Sequence, residues 1–481
     1  MNGISPNHTM FSAGSSANNN SRVKGVNGDG TQASIYRPIS IVRMLLILAC
    51  AGYVMGFNWI YQSYVSPTFS YLGFALMPLS SAIFWQSFML ASLPSLWMPL
   101  HLRRPSQFIY WIIYLLVYVP SIFVPSFMAL QPADMLVLLQ LMLFFGIVII
   151  GLCAKVPYFG MKRIPLPPRI FWFTLGAIGL ASSVYVYCVY RGHFKLVSFA
   201  EVYQKVRFSG GELAEGTMVN YAIMLLGGAI NPFLMSYAMI HRRWLLFAVG
   251  ALGQLLLYAT AGQKIYIISI VLLPLVAFVL RKNGGRAFGL RLALLMTFGC
   301  VGLNGVRQLT ADVDNISPWD GTASLVFMRT LAIPGMLTGL YYDFFLSHPR
   351  THYSHVHGVN LLISYPFDKD LGRTVGFEYS GNPDLNANAH FWAVDGLAAL
   401  GLAGVLVSSL FCGAVFWLID AVTVRHEPYL GTLLSVMPTM MLTNTSIFTT
   451  LLSGGLAFCI LLLCFLPVSS STARDKVVVL G

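Results

Sequence analysis

Four histidines crowd residues 347–360, SHPRTHYSHVHGVN: His348, His352, His355 and His357. The spacing H-x-x-H-x-H is one that could hold zinc. No cysteine lies near it and no second group supports the rings, so no metal is expected. Imidazoles there suit hydrogen bonding to sugars, or acid/base work near neutral pH. The plain alternative is a solvated polar loop. A second polar concentration follows in 381–404, GNPDLNANAHFWAVDGLAALGLAG, with Asn382, Asp384, Asn386, Asn388, His390 and Asp395. Amides and carboxylates of this kind suit sugar hydroxyls. The triplet DVD at 312–314 is like the D-x-D with which some glycosyltransferases hold a divalent cation, but three such residues meet often by chance in an acidic loop.

The cations are the other chemical resource. Lys264 sits in the tight turn TAGQKIYI, where an ammonium at headgroup level suits a diphosphate, or simply snorkels to the interface. Arg307 directly follows an apolar run. Arg329 opens RTLAIPGMLTGLYYDFF (329–345), apolar enough to be a helix packed at or partly in a membrane; a charge there needs a partner or a ligand. Arg373 adds another cation in FDKDLGR. Around Glu201, the segment LVSFAEVYQKVRF reads as an amphipathic surface helix, with Arg191, Lys195, Lys205 and Arg207 at phosphate depth. Lipid headgroups alone would satisfy these last four.

The elements that must position these groups are membrane helices. Of 481 residues, 57% are hydrophobic and 10% charged; a soluble domain carries roughly 25% charged residues. The apolar residues fall in runs of about 18–24, the length that crosses a bilayer as a helix. They are apolar all round and do not alternate as barrel strands would. Twelve spans are expected near 41–59, 74–97, 108–130, 134–153, 170–190, 219–240, 244–261, 265–280, 290–306, 397–420, 429–445 and 447–468. All seven cysteines fall within them, so no disulfide framework is expected. Residues 1–38 form a polar Ser/Asn/Gly tail without the apolar core of a signal peptide, expected to be disordered; 39–468 is the transmembrane domain, and 469–481 a second tail.

Charge orients the bundle. With the N-terminus inside, the inner segments hold 19 basic residues against four acids, a net of +15; the outer ones hold 10 against 13, a net of −3. This is the positive-inside pattern. The overall charge of +12 therefore marks topology, and no nucleic-acid partner is expected. Two substantial extracytoplasmic segments remain, 191–218 and 307–396. The short basic inner loops leave no room for a catalytic domain, and no Walker, H-E-x-x-H or serine-hydrolase motif is present.

Three stretches, ATAGQKIYIISIVLLP (259–274), RTLAIPGMLTGLYYDFF (329–345) and NANAHFWAVDGLAALGLAG (386–404), together with two outer segments among about a dozen spans, resemble the bacterial O-antigen, or oligosaccharide repeat-unit, polymerases. The similarity runs over roughly 40–468. It implies an all-α, polytopic, GT-C-like helix bundle in the bacterial inner membrane, with both termini cytoplasmic. It implies a glycosyltransferase that moves the growing chain from polyprenyl diphosphate to a hydroxyl of a new lipid-linked repeat unit. No metal or other cofactor is then required, because the diphosphate leaving group is already activated. Implied partners are the lipid-linked donor and acceptor, membrane lipids, a chain-length co-polymerase and a flippase. Arg and Lys at headgroup level would stabilise the departing diphosphate: Lys264, Arg307 and Arg329 first, then Arg191, Arg207 and Arg373, with Tyr341 and Asn386 as substrate contacts. The general base for the acceptor hydroxyl would be His390 or Asp395, with Glu201 and His355 behind them. Two rivals stand beside this reading. A ligase would use the same donor with a different acceptor. A flippase should carry midplane charges, which these spans nearly lack.

Overall fold

The computed structural model describes residues 40–161, 164–194, 218–311, 317–389, 392–427 and 429–467. These residues form helices and turns, with no strand among them. Glu201, Arg207, His390, the DVD triplet, both tails and most of 191–218 lie outside the described residues.

Among the described residues, eleven helices are long and apolar enough to cross a membrane. They are α1 (Ile41–Leu72), α3 (Pro105–Met128), α4 (Ala133–Cys153), α5 (Pro168–Val189), α6 (Met218–His241), α7 (Trp244–Ala261), α8 (Lys264–Lys282), α9 (Phe288–Leu309), α10 (Asp320–Ser347), α13 (Leu402–Thr423) and α15 (Ile447–Phe465). The shorter helices are α2 (Ser81–Ser92), α11 (Leu371–Ser380), α12 (Ala393–Leu400) and α14 (Leu430–Leu442). The chain is thus a multi-pass helical membrane bundle.

Contacts sort the helix ends onto two faces. One end is basic, with Arg103, Arg104, Arg242, Arg243, Arg281, Lys282, Arg286 and Arg425 at or beside its turns. The other bears the long 310–400 region and is called the loop end below. At the loop end Tyr61 stacks on Phe127 at 4.8 Å, and Asn304 donates to Ser63 at 3.0 Å.

The segment that carries the short helix α2 runs from the loop end to the basic end. Met77 N donates to Phe127 O at the loop end, and Arg43 donates to Met98 O (2.6 Å) at the basic end. Helix forms only from Ser81, not across 74–97, because Pro78 and extended backbone precede the Ser80 cap, whose hydroxyl accepts from Ile83 N. Buried Gln140 of α4 sits within hydrogen-bond distance of Ser87, Ser126 and Gln86, tying α2, α3 and α4 together without charge.

By contrast, α10 has the length of a span but begins and finishes at the loop end. Asp320 meets Arg307 and Tyr64; at its far end Tyr342 donates to Met135 O, and Asp343 accepts from Gln131. Gly335 and Gly339 let it press against Pro120 and Pro125 of α3. This is the apolar helix expected within 307–396.

The span expected at 397–420 is instead two helices, α12 and α13, broken at Gly401. Gly401 has φ +67 and ψ −146, a conformation that glycine alone adopts at low cost. The break folds α12 back on α13, with Gly396 against the Gly404 backbone so closely that no Cβ fits. The last span, α15, is likewise interrupted by a turn between Leu452 and Leu456.

Candidate functional site

The fold-back of α12 buries Asp395, which is 1% exposed. Its Oδ2 accepts from Ser446 Oγ (2.9 Å) and from Ile447 N (3.3 Å). The carboxylate therefore sits at the N-terminus of α15, where orphan amides and the helix dipole favour a negative charge.

Its Oδ1 faces His355 Nε2 at 3.8 Å. The other ring nitrogen, Nδ1, lies 2.7 Å from Thr351 Oγ1. When that hydroxyl donates to Ala398 O (3.1 Å), it accepts from Nδ1–H. The neutral ring then turns the lone pair of Nε2 toward the carboxylate. Nε2 is buried and takes no hydrogen bond among the described residues. Two acceptors facing each other make a site for a proton: a proton arriving at Nε2 becomes the bridge of an ion pair. Of the four base candidates, the structure thus brings His355 and Asp395 together.

The segment carrying His355 is clamped to α12. Thr351 N and His352 N donate to Ala398 O (2.9 Å) and Ala399 O (3.2 Å), carbonyls at the end of α12 that lack helical partners. Arg350 lies over Gly401. The clamp holds strained backbone: His352 (φ +47), Tyr353 (φ +66) and Trp392 (φ +61) all have positive φ without being glycine. Such residues persist only where surroundings over-determine them, and they collect at functional sites. Trp392 is fixed by its indole N–H on Ser409 Oγ (2.6 Å), and the Tyr353 hydroxyl lies 3.2 Å from Ser408 Oγ. Burial pushes the Tyr353 phenol above its ordinary range; the Ser408 contact opposes this and the charge of Asp395 adds to it. Tyr353 therefore stays protonated beside the carboxylate.

Around this pair stands a frame built on α10 and α11. The buried Tyr341 hydroxyl donates to Ala387 O (3.0 Å), and Ala387 N donates to Gly372 O (2.8 Å). Exposed Asn386 lies against Gly372, next to half-buried Arg373. Tyr341, Asn386 and Arg373 therefore share one neighbourhood. Asp343 accepts from both Gln131 and Tyr379, joining α10, α11 and the α3–α4 turn.

The remaining cations are spread over the same end. Arg307 Nε donates to Asp320 Oδ1 at 2.7 Å, and its guanidinium lies 4.1 Å from the centre of the Tyr64 ring. It anchors the start of α10. Lys264 is the first residue of α8 and half-buried; Arg329 is half-buried on α10; Arg191 is exposed just beyond α5. Among the described residues, no three His, Cys, Asp or Glu side chains converge on a point that could hold a metal ion.

Thr351 and Ser446, which orient the two members of the pair, carry no recognisable signal in the sequence; both read as ordinary polar turn residues. No known protein family, curated protein or solved structure matches the chain.

Proposed function

We propose that this protein is a polysaccharide repeat-unit polymerase, a glycosyltransferase with a GT-C-like bundle. It would transfer a growing glycan from polyprenyl diphosphate to a hydroxyl of a new lipid-linked repeat unit. The observation that carries the reading is the buried Asp395–His355 pair, a proton acceptor at the end of the bundle where the half-buried cations lie. Charge supports an orientation with the basic end in the cytoplasm and the pair on the extracytoplasmic side, as the reading of a bacterial inner-membrane enzyme requires.

In the reaction, the acceptor hydroxyl attacks the anomeric carbon of the donor sugar. The bond from that carbon to the diphosphate oxygen breaks with its electron pair leaving on the diphosphate. The hydroxyl proton is taken up by the His355–Asp395 pair as a unit, which holds it between Nε2 and the carboxylate as an ion pair. Lys264 and Arg329, with Arg307, Arg191 and Arg373, oppose the charge that grows on the diphosphate, where fixed cations in a partly dry site act strongly. Exposed Asn386 is free to meet a sugar, and buried Tyr341 acts behind it by holding Ala387 O. The scarcity of charge within the crossing helices favours transfer chemistry over transport, since a transport path needs polar lining near the midplane.

The test is chain growth from purified protein and lipid-linked repeat units. Ladders with the native chain and none with Asp395→Asn support the proposal. Equal ladders from both remove the pair from the chemistry.

A further inference from the structure

At the basic end, on the face turned away from Asp395, α6, α7 and α8 enclose a groove of about 720 Å³. Its walls are apolar and aromatic: Trp244 and Phe247 from α7, and Ile270, Pro274 and Phe278 from α8. Trp244 and Phe278 are 65% and 60% exposed, as befits side chains against acyl chains. The rim is cationic. Arg281 and Lys282 close the groove at the end of α8, and exposed Arg242 and Arg243 form the adjoining α6–α7 turn.

The geometry points to a binding site for an anionic phospholipid of the leaflet at this end. Arg281 is already aimed. One of its terminal nitrogens donates to Met239 O, a carbonyl near the C-terminus of α6, which fixes the guanidinium at the groove. It makes no other hydrogen bond among the described residues, so the remaining N–H groups of its fork are available to a phosphate. Lys282 Nζ stands 5.6 Å from the centre of the Phe278 ring, at the junction of apolar wall and charged rim. Arg242 adopts a left-handed conformation (φ +57) at the helix end, a position where glycine is usual, and this keeps two arginines in the tight turn. One acid is near: Glu427 lines a smaller pocket of about 150 Å³ behind Arg281, and His241 Nε2 is 4.0 Å from it. Against this one carboxylate among the described residues that line the two pockets stand Arg281 and Lys282, with Arg242 and Arg243 in the adjoining turn, so the groove retains a positive field. Apolar walls reaching about three helical turns below the rim, from Arg281 down to Ile270, match an acyl chain under a phosphodiester, and a basic pocket between membrane helices is the usual form of such a site. The inference does not rest on the glycosyltransferase reading.

The test uses the full chain purified in detergent and offered phosphatidylglycerol, phosphatidylcholine or inorganic phosphate. Retained lipid is counted by native mass spectrometry, and the melting temperature is read alongside. The native chain should hold phosphatidylglycerol over phosphatidylcholine and melt higher with it, while inorganic phosphate does nothing. Arg281→Gln with Lys282→Gln should lower that preference roughly fivefold per charge removed. If Arg281→Gln lowers the melting temperature without lipid, the pair Arg243→Gln and Lys282→Gln, both on exposed side chains, carries the same expectation. No preference in the native chain, preference unchanged in the folded variants, or equal stabilisation by inorganic phosphate overturns the proposal.

Discussion

His355 Nε2 and Asp395 Oδ1 face each other across 3.8 Å, although the two residues are forty positions apart and belong to different segments. Each is oriented from behind, the ring by Thr351 and the carboxylate by Ser446. The pair should act as one unit. Asp395→Asn keeps the shape and an oxygen for Ser446 but removes the charge, so transfer should fall by about 10²–10⁴, the usual worth of a positioned base. His355→Gln should cost a similar factor, and the double variant should be hardly worse than either single one. Chain growth measured at matched amounts of folded protein decides this; additive losses would mean that the two residues work separately.

Lys264→Ala and Arg329→Ala should each abolish polymer while leaving protein in the membrane at native levels. Both side chains are half-buried cations, and the proposed reading assigns them to the diphosphate. Blotting for protein beside gel analysis of the glycan separates loss of chemistry from loss of fold. Full activity in both variants would remove them from the site.

Arg307 joins stability to the site. Its 2.7 Å bond to Asp320 is partly buried, with the two side chains 11% and 31% exposed. Losing a charged hydrogen bond of this kind costs about 1–3 kcal/mol. Asp320→Asn and Arg307→Gln should therefore lower thermal stability alike, and the double variant should not lower it twice. Transfer should suffer more in Arg307→Gln, because only that change also removes a cation from the diphosphate. Equal activity at equal folded amounts would leave Arg307 a purely structural role.

High pH should loosen the same end. Burial, with the charge of Asp370 behind it, pushes the Tyr365 phenol from about 10 up to about 12. Below the lower value both folded and unfolded chains are protonated and the contribution is intact. Above it the unfolded chain loses its proton first, so stability falls as pH rises from roughly 10 to 12. Tyr365 donates to Lys369 O at 3.1 Å, so the effect belongs to this segment. Hydrogen exchange over 359–380 should accelerate in that window, and Tyr365→Phe should flatten part of the rise. Exchange independent of pH beyond the chemical rate would contradict the assignment.

Chelation should leave transfer unchanged. The described residues offer no set of three ligands, and the proposed reading takes the polyprenyl diphosphate as an already activated leaving group opposed by Arg and Lys. Activity lost in EDTA and restored by a divalent ion would bring residues 312–314 and the histidines back to the centre.

The membrane bundle was legible because all-round apolar runs have no other stable setting; the run 74–97, by contrast, holds only the twelve-residue helix α2, too short by helix length to count among the spans. Gly401 hid the break between α12 and α13. The flanking residues are continuously apolar, and hydropathy carries no record of a backbone dihedral. The site was legible only in parts. Asp395 and His355 stood out as residue types, but their meeting depends on α12 folding back, which local pattern does not encode. Ser446 lay in the gap between the spans expected at 429–445 and 447–468, and Arg281 and Lys282 counted only among the basic residues of the inner segments. Arg307 was visible as a cation at a helix end, while its partner Asp320 was not, because that pairing needs α10 to start beside α9.

The most direct measurement is glycan analysis of a strain lacking this protein, complemented with the native chain or with Asp395→Asn. Surface polysaccharide and the lipid-linked pool are resolved by gel and mass spectrometry. The account predicts that the deletion and the Asp395→Asn strain both lose long chains while single repeat units are still made and exported, and that the native chain restores the ladder. Full-length chains stranded on the lipid carrier, single units trapped in the inner leaflet, or a full ladder from Asp395→Asn would contradict it.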